Sequence, residues 1–273
     1  MKYFAARRWC NLALLALVSA VLLAATAALA VALHATAKLT GWTLLALVVG
    51  LASYNVRKKL PFLPLGSSAL WLQLHIYAGL LSIVMFGLHL RWRFPTGAFE
   101  TVLALVFAAV AGSGVAGLWI SRALAARLTT RGEEVIFERI PGLRQRLQIE
   151  VEQLLLQCLA ETESTAIPDF YLSRLKPFFE GPRNFWRHLV QSVRPCRQLL
   201  LEIEAQDRYL NDTERQYLQE ITDRVRAKDA LDYHYALQST LKYWLFVHVP
   251  LTYGLLVLAV LHVLLVQAFA GVP

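Results

Sequence analysis

Cysteine and acidic residues are scarce over most of this 273-residue sequence, and each shortage argues against a class of protein. Only three cysteines occur, Cys10, Cys158 and Cys196, and no two of them form a CxxC pair. The usual zinc, iron–sulfur and c-type haem signatures are therefore excluded. Of the 19 acidic residues, 18 fall within residues 130–238, which leaves Glu100 as the single acid elsewhere. A transporter working through carboxylates in its spans is therefore disfavoured.

Charged residues are also few: they make up 17% of the sequence, against 57% hydrophobic residues, and the mean hydropathy is +0.47. A soluble chain of this length would carry more charge. An apolar helix of about 20 residues crosses the roughly 30 Å hydrocarbon core of a bilayer. The sequence predicts five such spans, at residues 11–33, 40–56, 69–91, 99–120 and 242–269. It therefore predicts an all-α membrane protein in which five transmembrane helices form a bundle.

The predicted spans divide the chain into four segments. These are an N-terminal transmembrane anchor at 1–38, helices 2–4 of the bundle at 39–129, a helical cytoplasmic insert at 130–238 and helix 5 at 239–273. The first span resembles a signal peptide, but its apolar run of about 22 residues favours a retained anchor. The insert is predicted to be helical, with a helix start near Asn211 that Asp212 or Thr213 would cap. We expect the insert either to dock a partner protein or to brace the bundle.

The net charge of +8 is unevenly spread, because residues 130–238 hold 15 basic and 18 acidic residues. The surplus of positive charge therefore flanks the spans, where it sets topology and does not indicate a nucleic-acid partner. Its alternation from loop to loop predicts a multi-pass protein of the inner (plasma) membrane. The N-terminus and the insert would be cytoplasmic, and the C-terminus would lie on the outer side.

Four of the seven histidines delimit two apolar stretches of equal length. HIYAGLLSIVMFGLH runs from His75 to His89, and HVPLTYGLLVLAVLH runs from His248 to His262. Fourteen residues turn a helix through about 1400°, about 40° short of four turns, so each pair lies on nearly one face with about 21 Å between its members. Spans 3 and 5 run in the same direction, and their histidines lie at matching depths.

Two parallel helices of this kind present two facing pairs of imidazoles, one pair at each depth. Each pair could supply the two axial nitrogens of a haem iron. A bare metal ion would need three or four donors at one depth. Ionisable residues inside a membrane are costly and usually functional. The alternative is that the histidines form hydrogen bonds within the bundle of a haem-free protein.

The paired helices resemble those of the di-haem b-type membrane cytochromes, which include the b subunit of cytochrome bc complexes and the ferric-reductase and NADPH-oxidase membrane domain. The resemblance covers about residues 40–125 and 240–270. It implies two b-type haems, one bound by His75 and His248 on the cytoplasmic side and one by His89 and His262 on the outer side. It also implies electron transfer across the bilayer.

Two features of these relatives are missing from the sequence, namely the fused flavin and nicotinamide reductase module of the oxidases and the Pro-Glu-Trp-Tyr quinol motif of bc-type subunits. We therefore expect a subunit of a larger redox complex. Its partners would be a cytochrome, an iron–sulfur protein or a flavoprotein, and its electron donor would be quinol or a redox protein. A quinone-reactive oxidoreductase subunit and a haem-free membrane scaffold or assembly subunit are the alternatives.

Small and basic residues extend the predicted site beyond the histidines. Five glycines could make room for a porphyrin face or for close helix packing: Gly79, Gly87, Gly112, Gly114 and Gly117. The last three belong to GSGVAG, which lies inside a predicted membrane helix with no strand before it and so is not a dinucleotide site. Arg91 and Arg93 follow His89 and could bind the haem propionates, although they could also be ordinary topology charges.

Overall fold

The computed structural model describes residues 2–31, 36–59, 67–128 and 135–269, and every element in these ranges is helical. The described residues form ten α-helices: α1 Lys2–Val31, α2 Thr36–Lys59, α3 Ser68–His89, α4 Ala98–Leu128, α5 Ile140–Thr162, α6 Ala166–Phe170, α7 Lys176–Phe179, α8 Phe185–Leu189, α9 Arg194–Gln206 and α10 Asp212–Phe269. Two 3₁₀ turns, Phe137–Arg139 and Asp207–Tyr209, and one π-helical turn, Tyr171–Leu175, lie between them. The all-α fold class is confirmed.

Four helices within the described ranges are long and apolar enough to cross a membrane: α2, α3, α4 and α10. Their large apolar side chains are widely exposed, as at Leu105, Phe246 and Val257, which is the surface that lipid chains cover in such proteins. The protein is therefore a multi-pass membrane protein in contact with lipid. The predicted first span lies in α1, whose apolar stretch, Ala13–Leu29, is shorter than the other four helices. A fifth crossing stays a prediction.

Packing divides the chain into two compact units, Met1–Trp119 with Trp244–Pro273 and Ile120–Tyr243. The second unit starts before and ends after the predicted insert, 130–238. The reason is a hydrophobic cluster in which Leu124 of α4 packs with Tyr233 and Leu237 of α10. Both α4 and α10 therefore contribute residues to both units. Residues 60–66, 129–134 and 270–273, which include parts of the predicted loops, lie outside the described residues.

The start of α10 is fixed by a reciprocal pair of hydrogen bonds. The Glu214 N–H donates to Asn211 Oδ1, and the Asn211 N–H donates to Glu214 Oε2, each at 2.8 Å. This is a capping box, which needs an acid three residues after the cap. The prediction of Asp212 or Thr213 as the cap is therefore wrong, because Glu214 stands three residues after Asn211. The helix then continues unbroken to Phe269.

A buried ion pair joins three parts of the second unit. Lys228 and Asp232 are almost fully buried and bonded to each other within α10. Lys228 Nζ also donates to the Gly181 carbonyl at 2.7 Å, and the Arg183 N–H donates to Asp232 Oδ2 at 3.0 Å. Arg144 of α5 lies 3.5 Å from Asp232 Oδ1. These bonds tie α10 to α5 and to the segment around residues 181–183.

Burial acts against both charges of this pair. It raises the pKa of Asp232 and lowers the pKa of Lys228, and in each case the attraction of the partner offsets only part of the shift. A charge left here without its partner would be buried and uncompensated. The pair is therefore expected to add little net stability, and its main role is to fix how α10, α5 and residues 181–183 pack together.

Removing one partner is expected to destabilise the second unit strongly. Asp232→Ala should cost about 3–5 kcal/mol, because Lys228 is then buried without a counter-charge. The double change Lys228→Met/Asp232→Leu should restore most of that loss. The exposed pair of Arg174 and Glu202 is the control, since Glu202→Gln should cost less than about 1 kcal/mol. Thermal unfolding of the full chain in detergent measures the stability of all three variants. Equal losses of stability in D232A and E202Q would contradict this account.

Candidate functional site

The structure brings His89 and His262 together. Their ring centroids lie 6.4 Å apart and their planes are inclined by 88°. Imidazole nitrogens bind transition metals at about 2 Å, and each nitrogen lies roughly 1 Å from its ring centre, so two imidazoles on one metal atom have centres about 6 Å apart. The spacing of this outer histidine pair therefore fits one metal atom held between the two rings.

Four helices supply the surroundings of the outer histidine pair. His89 ends α3, and His262 lies near the end of α10. Phe99 of α4 stacks on the His262 ring with centroids 6.2 Å apart. From α2, Thr40 Oγ1 lies 3.3 Å from His89 Nδ1, and a Cβ added at Gly41 would lie 3.0 Å from His89 Cε1. The His89 ring is thus held closely against α2.

A cavity of about 330 Å³ adjoins the outer histidine pair and is lined mainly by apolar side chains. Phe86 and Phe107, whose rings stack at 4.1 Å, form part of its wall. Its polar lining besides the histidines includes Lys38, Glu100 and Gln267. An apolar pocket of a few hundred cubic ångströms with a few convergent polar groups is typical of a cofactor or small-molecule site.

The inner histidines, His75 and His248, pack against different neighbours. The His75 ring lies 5.0 Å from the Tyr54 ring of α2. The His248 ring stacks on Trp244 with centroids 5.4 Å apart, and its Nδ1 lies 2.6 Å from Ser113 Oγ of α4. The structure therefore places the rings of the outer two histidines next to each other and holds each inner histidine against a separate helix.

The glycines of GSGVAG have three different surroundings. A Cβ added at Gly117 would overlap the indole of Trp244, whose Nε1 donates to the Ser113 carbonyl at 2.8 Å. One added at Gly114 would lie 3.6 Å from His248 Cε1, whereas one at Gly112 would meet no atom within 4 Å. Gly117 and Gly114 thus give room to Trp244 and to the His248 ring.

The turn that ends α3 explains why a glycine stands at position 87, another of the predicted site residues. The Arg91 N–H donates to the Leu88 carbonyl and the Trp92 N–H to the Gly87 carbonyl, which is a Schellman motif. Arg91 and Trp92 both have the left-handed backbone that such a turn requires, with φ of 51° and 55°. The turn carries the Trp92 ring back to Gly87, where an added Cβ would lie 2.7 Å from it.

The remaining predicted residues lie outside these close contacts. At Gly79 an added Cβ would meet only Leu51, at 3.9 Å. Arg91 and Arg93 are exposed beyond the end of α3. The charged residues that line the cavity are instead Lys38 and Glu100.

Sequence reasoning missed several residues that contact the histidine rings, among them Thr40, Gly41 and Ser113. A signal was present, because in each case a hydroxyl residue directly precedes a glycine inside a predicted span: Thr40-Gly41 and Ser113-Gly114. Only the glycine of the second pair was among the predicted residues.

Within the described ranges, no group of three or more His, Cys, Asp and Glu side chains is placed to hold a metal ion together. No protein-family model, curated protein or solved structure matches the chain. The geometry of the histidines and of the cavity is therefore the basis for assigning a function.

Adding one methyl group at Gly117 should destabilise the bundle, because the Trp244 ring must leave its hydrogen bond to Ser113. We expect Gly117→Ala to cost about 1–3 kcal/mol, the usual range for an overpacked site. Gly112→Ala in the same helix is the matched control and should be neutral or stabilising, since alanine favours helix and the site is open. Thermal unfolding in detergent compares them, and equal midpoints would refute the packing role.

Proposed function

We propose that this protein is a di-haem b-type membrane cytochrome subunit that relays electrons across the bilayer. The observation that supports the proposal most directly is the outer histidine pair, whose 6.4 Å spacing suits one iron atom between two imidazoles. The adjoining apolar cavity supports it as well. Bound haem would supply one-electron chemistry, while the protein sets its ligands and surroundings.

Several residues of the chain would have separate roles at the outer site. His89 and His262 would hold the haem iron through their ring nitrogens. Phe99 stacks on the His262 ring and would fix its plane, and the apolar cavity wall would limit the access of water to the iron. Lys38 lines the same cavity and is better placed than Arg91 or Arg93 to neutralise an acidic group of the cofactor.

The inner pair, His75 and His248, is assigned the second haem. Each of its histidines lies fourteen residues before an outer histidine on the same helix, so the two inner residues match in position as the two outer residues do. About 21 Å between the two levels suits transfer between cofactors and not one shared metal site. In this structure the His248 ring stacks on Trp244, and its Nδ1 lies beside Ser113 Oγ.

In this proposal the protein is a subunit of a larger redox complex of the inner membrane. By its flanking charges, the N-terminus and residues 130–238 face the cytoplasm and the C-terminus faces outward. The second unit exposes large apolar side chains, Trp186, Val190 and Tyr209 among them. Aromatic residues of this kind are common in protein interfaces, which supports docking of a partner cytochrome, iron–sulfur protein or flavoprotein there.

Each histidine pair should account for one haem. We expect His89→Ala and His262→Ala each to abolish the same redox transition, because loss of one axial ligand removes the outer haem. His75→Ala and His248→Ala should abolish the other transition. His34→Ala, which alters a histidine outside both pairs, is the control. Spectroelectrochemical titration of the purified proteins measures the transitions. Unchanged transitions in all four variants would show that these histidines do not bind the haems, and a wild type without any transition would leave a haem-free scaffold as the better account.

Quinol oxidation at the outer site is a second candidate function. Glu100, the single acid outside residues 130–238, lines the same cavity as both outer histidines. Its carboxylate lies against Gly97 at the start of α4. A carboxylate beside an apolar pocket could accept the proton that a quinol releases when it gives up an electron.

If Glu100 has this role, Glu100→Gln should slow haem reduction by a quinol analogue about 10²–10⁴-fold while leaving dithionite reduction and haem content unchanged. Glu202→Gln, the same change at an exposed carboxylate outside this cavity, is the matched control. Stopped-flow absorbance gives both rates. Equal quinol rates in E100Q and the wild type would leave electron relay as the only supported function.

A further inference from the structure

One histidine of each predicted haem site makes the same kind of contact with a neighbouring helix. Thr40 of α2 is buried, and its Oγ1 lies 3.3 Å from His89 Nδ1. Ser113 of α4 is partly buried, and its Oγ lies 2.6 Å from His248 Nδ1. The two contacts involve different helices and different histidine pairs, yet each joins a hydroxyl oxygen to Nδ1.

Each hydroxyl already has an acceptor for its single hydrogen. Thr40 Oγ1 donates to the Thr36 carbonyl at 2.9 Å, one turn back in α2. Ser113 Oγ donates to the Val110 carbonyl at 2.8 Å. A hydroxyl has one hydrogen and two lone pairs, so the oxygen that remains can only accept. When each hydroxyl donates to its own helix in this way, the imidazole donates from Nδ1–H in both contacts.

The direction of this hydrogen bond decides which ring nitrogen remains for a metal. A neutral imidazole has one N–H, so a ring that donates from Nδ1 keeps the lone pair on Nε2. The hydrogen bond at one nitrogen thus selects the tautomer whose other nitrogen can bind a metal.

A glycine follows each hydroxyl residue, and each glycine lies beside a histidine ring. An added Cβ at Gly41 would lie 3.0 Å from His89 Cε1, and one at Gly114 would lie 3.6 Å from His248 Cε1. A side chain at Gly41 would therefore push the ring by a few tenths of an ångström. Gly50, in the same helix as Gly41, has no atom within 4 Å of its added Cβ, so closeness is specific to the glycine beside the hydroxyl.

We propose that Thr40-Gly41 and Ser113-Gly114 are matching positioning pairs, in which the hydroxyl fixes the Nδ1–H tautomer of one axial histidine and the glycine lies against its ring, most closely at Gly41. The inference rests on the proposed haem function, but it assigns residues that neither the spacing of the histidines nor the resemblance names. Thr40 acts on the outer haem through His89, and Ser113 acts on the inner haem through His248.

The test replaces each hydroxyl by a group of similar shape in the full-length protein. Thr40→Val should weaken retention of the outer haem about 10–100-fold, the usual effect of losing a partner of a metal-bound histidine. It should also raise the midpoint potential of that haem, because an imidazole that no longer donates from Nδ1 is a poorer electron donor to iron. Thr40→Ser should restore both values. Ser113→Ala should change the inner haem alone.

Matched controls separate positioning from general packing. Thr43 in α2 also donates to a carbonyl of its own helix, at 2.9 Å, so Thr43→Val removes the same group without touching a histidine. Gly50→Ala serves the same purpose for Gly41→Ala, which should lower the outer haem content. Redox titration and haem dissociation to apomyoglobin give the readouts.

Three outcomes distinguish the claims. Selective changes in T40V and S113A, with serine rescue at position 40, would support the positioning pairs. If the wild type holds two haems but T40V matches T43V in retention and potential, the positioning pairs are wrong and the proposed function stands. A wild-type protein without haem would overturn both.

Discussion

The bundle depends on the need to satisfy imidazole nitrogens inside an apolar membrane region. A histidine brings two ring nitrogens where no water is available to bond them, and an unsatisfied polar group there is costly. At His89 and His248 one nitrogen is bonded to a hydroxyl of a neighbouring helix. The other nitrogen needs a second partner, and in the proposed function the haem iron would be that partner. Helix packing, the small residues and the cavity beside the outer histidine pair are all arranged around that need.

The sequence was sufficient for features that depend on spacing along a single helix. The apolar runs predicted α2, α3, α4 and the end of α10, and the fourteen-residue separation correctly set His75 and His89 on one helix and His248 and His262 on another. Contacts between helices were harder to predict from the sequence. Thr40 and Ser113 are ordinary residues in apolar runs until the fold places them beside a ring. Gly117 was expected to make room for either a porphyrin face or close helix packing, and Trp244 of α10 fills that space. The cap of α10 was missed by one residue because Asn211, Asp212 and Thr213 are all good caps, and only the bond to Glu214 decides among them.

The two units are built from shared helices, yet they follow different rules. The first exposes apolar side chains and keeps its few polar groups in contact with one another. The second packs an ordinary hydrophobic core around Val151, Leu175 and Ile221 and buries one ion pair. Because α10 carries Lys228 and Asp232 in the second unit and His248 and His262 in the first, one continuous helix contains both the structural ion pair and two of the proposed axial ligands. That continuity is why the unit boundary could not be read from composition alone.

The central claim is that the four histidines bind two haems, and the most direct measurement is the ratio of haem to polypeptide in the purified wild-type protein. A pyridine haemochrome assay, with the chain quantified by amino-acid analysis of the same sample, gives this ratio. The account predicts about two b-type haems per chain. A ratio near one would contradict the inner site, and a colourless protein would contradict the electron-transfer function altogether.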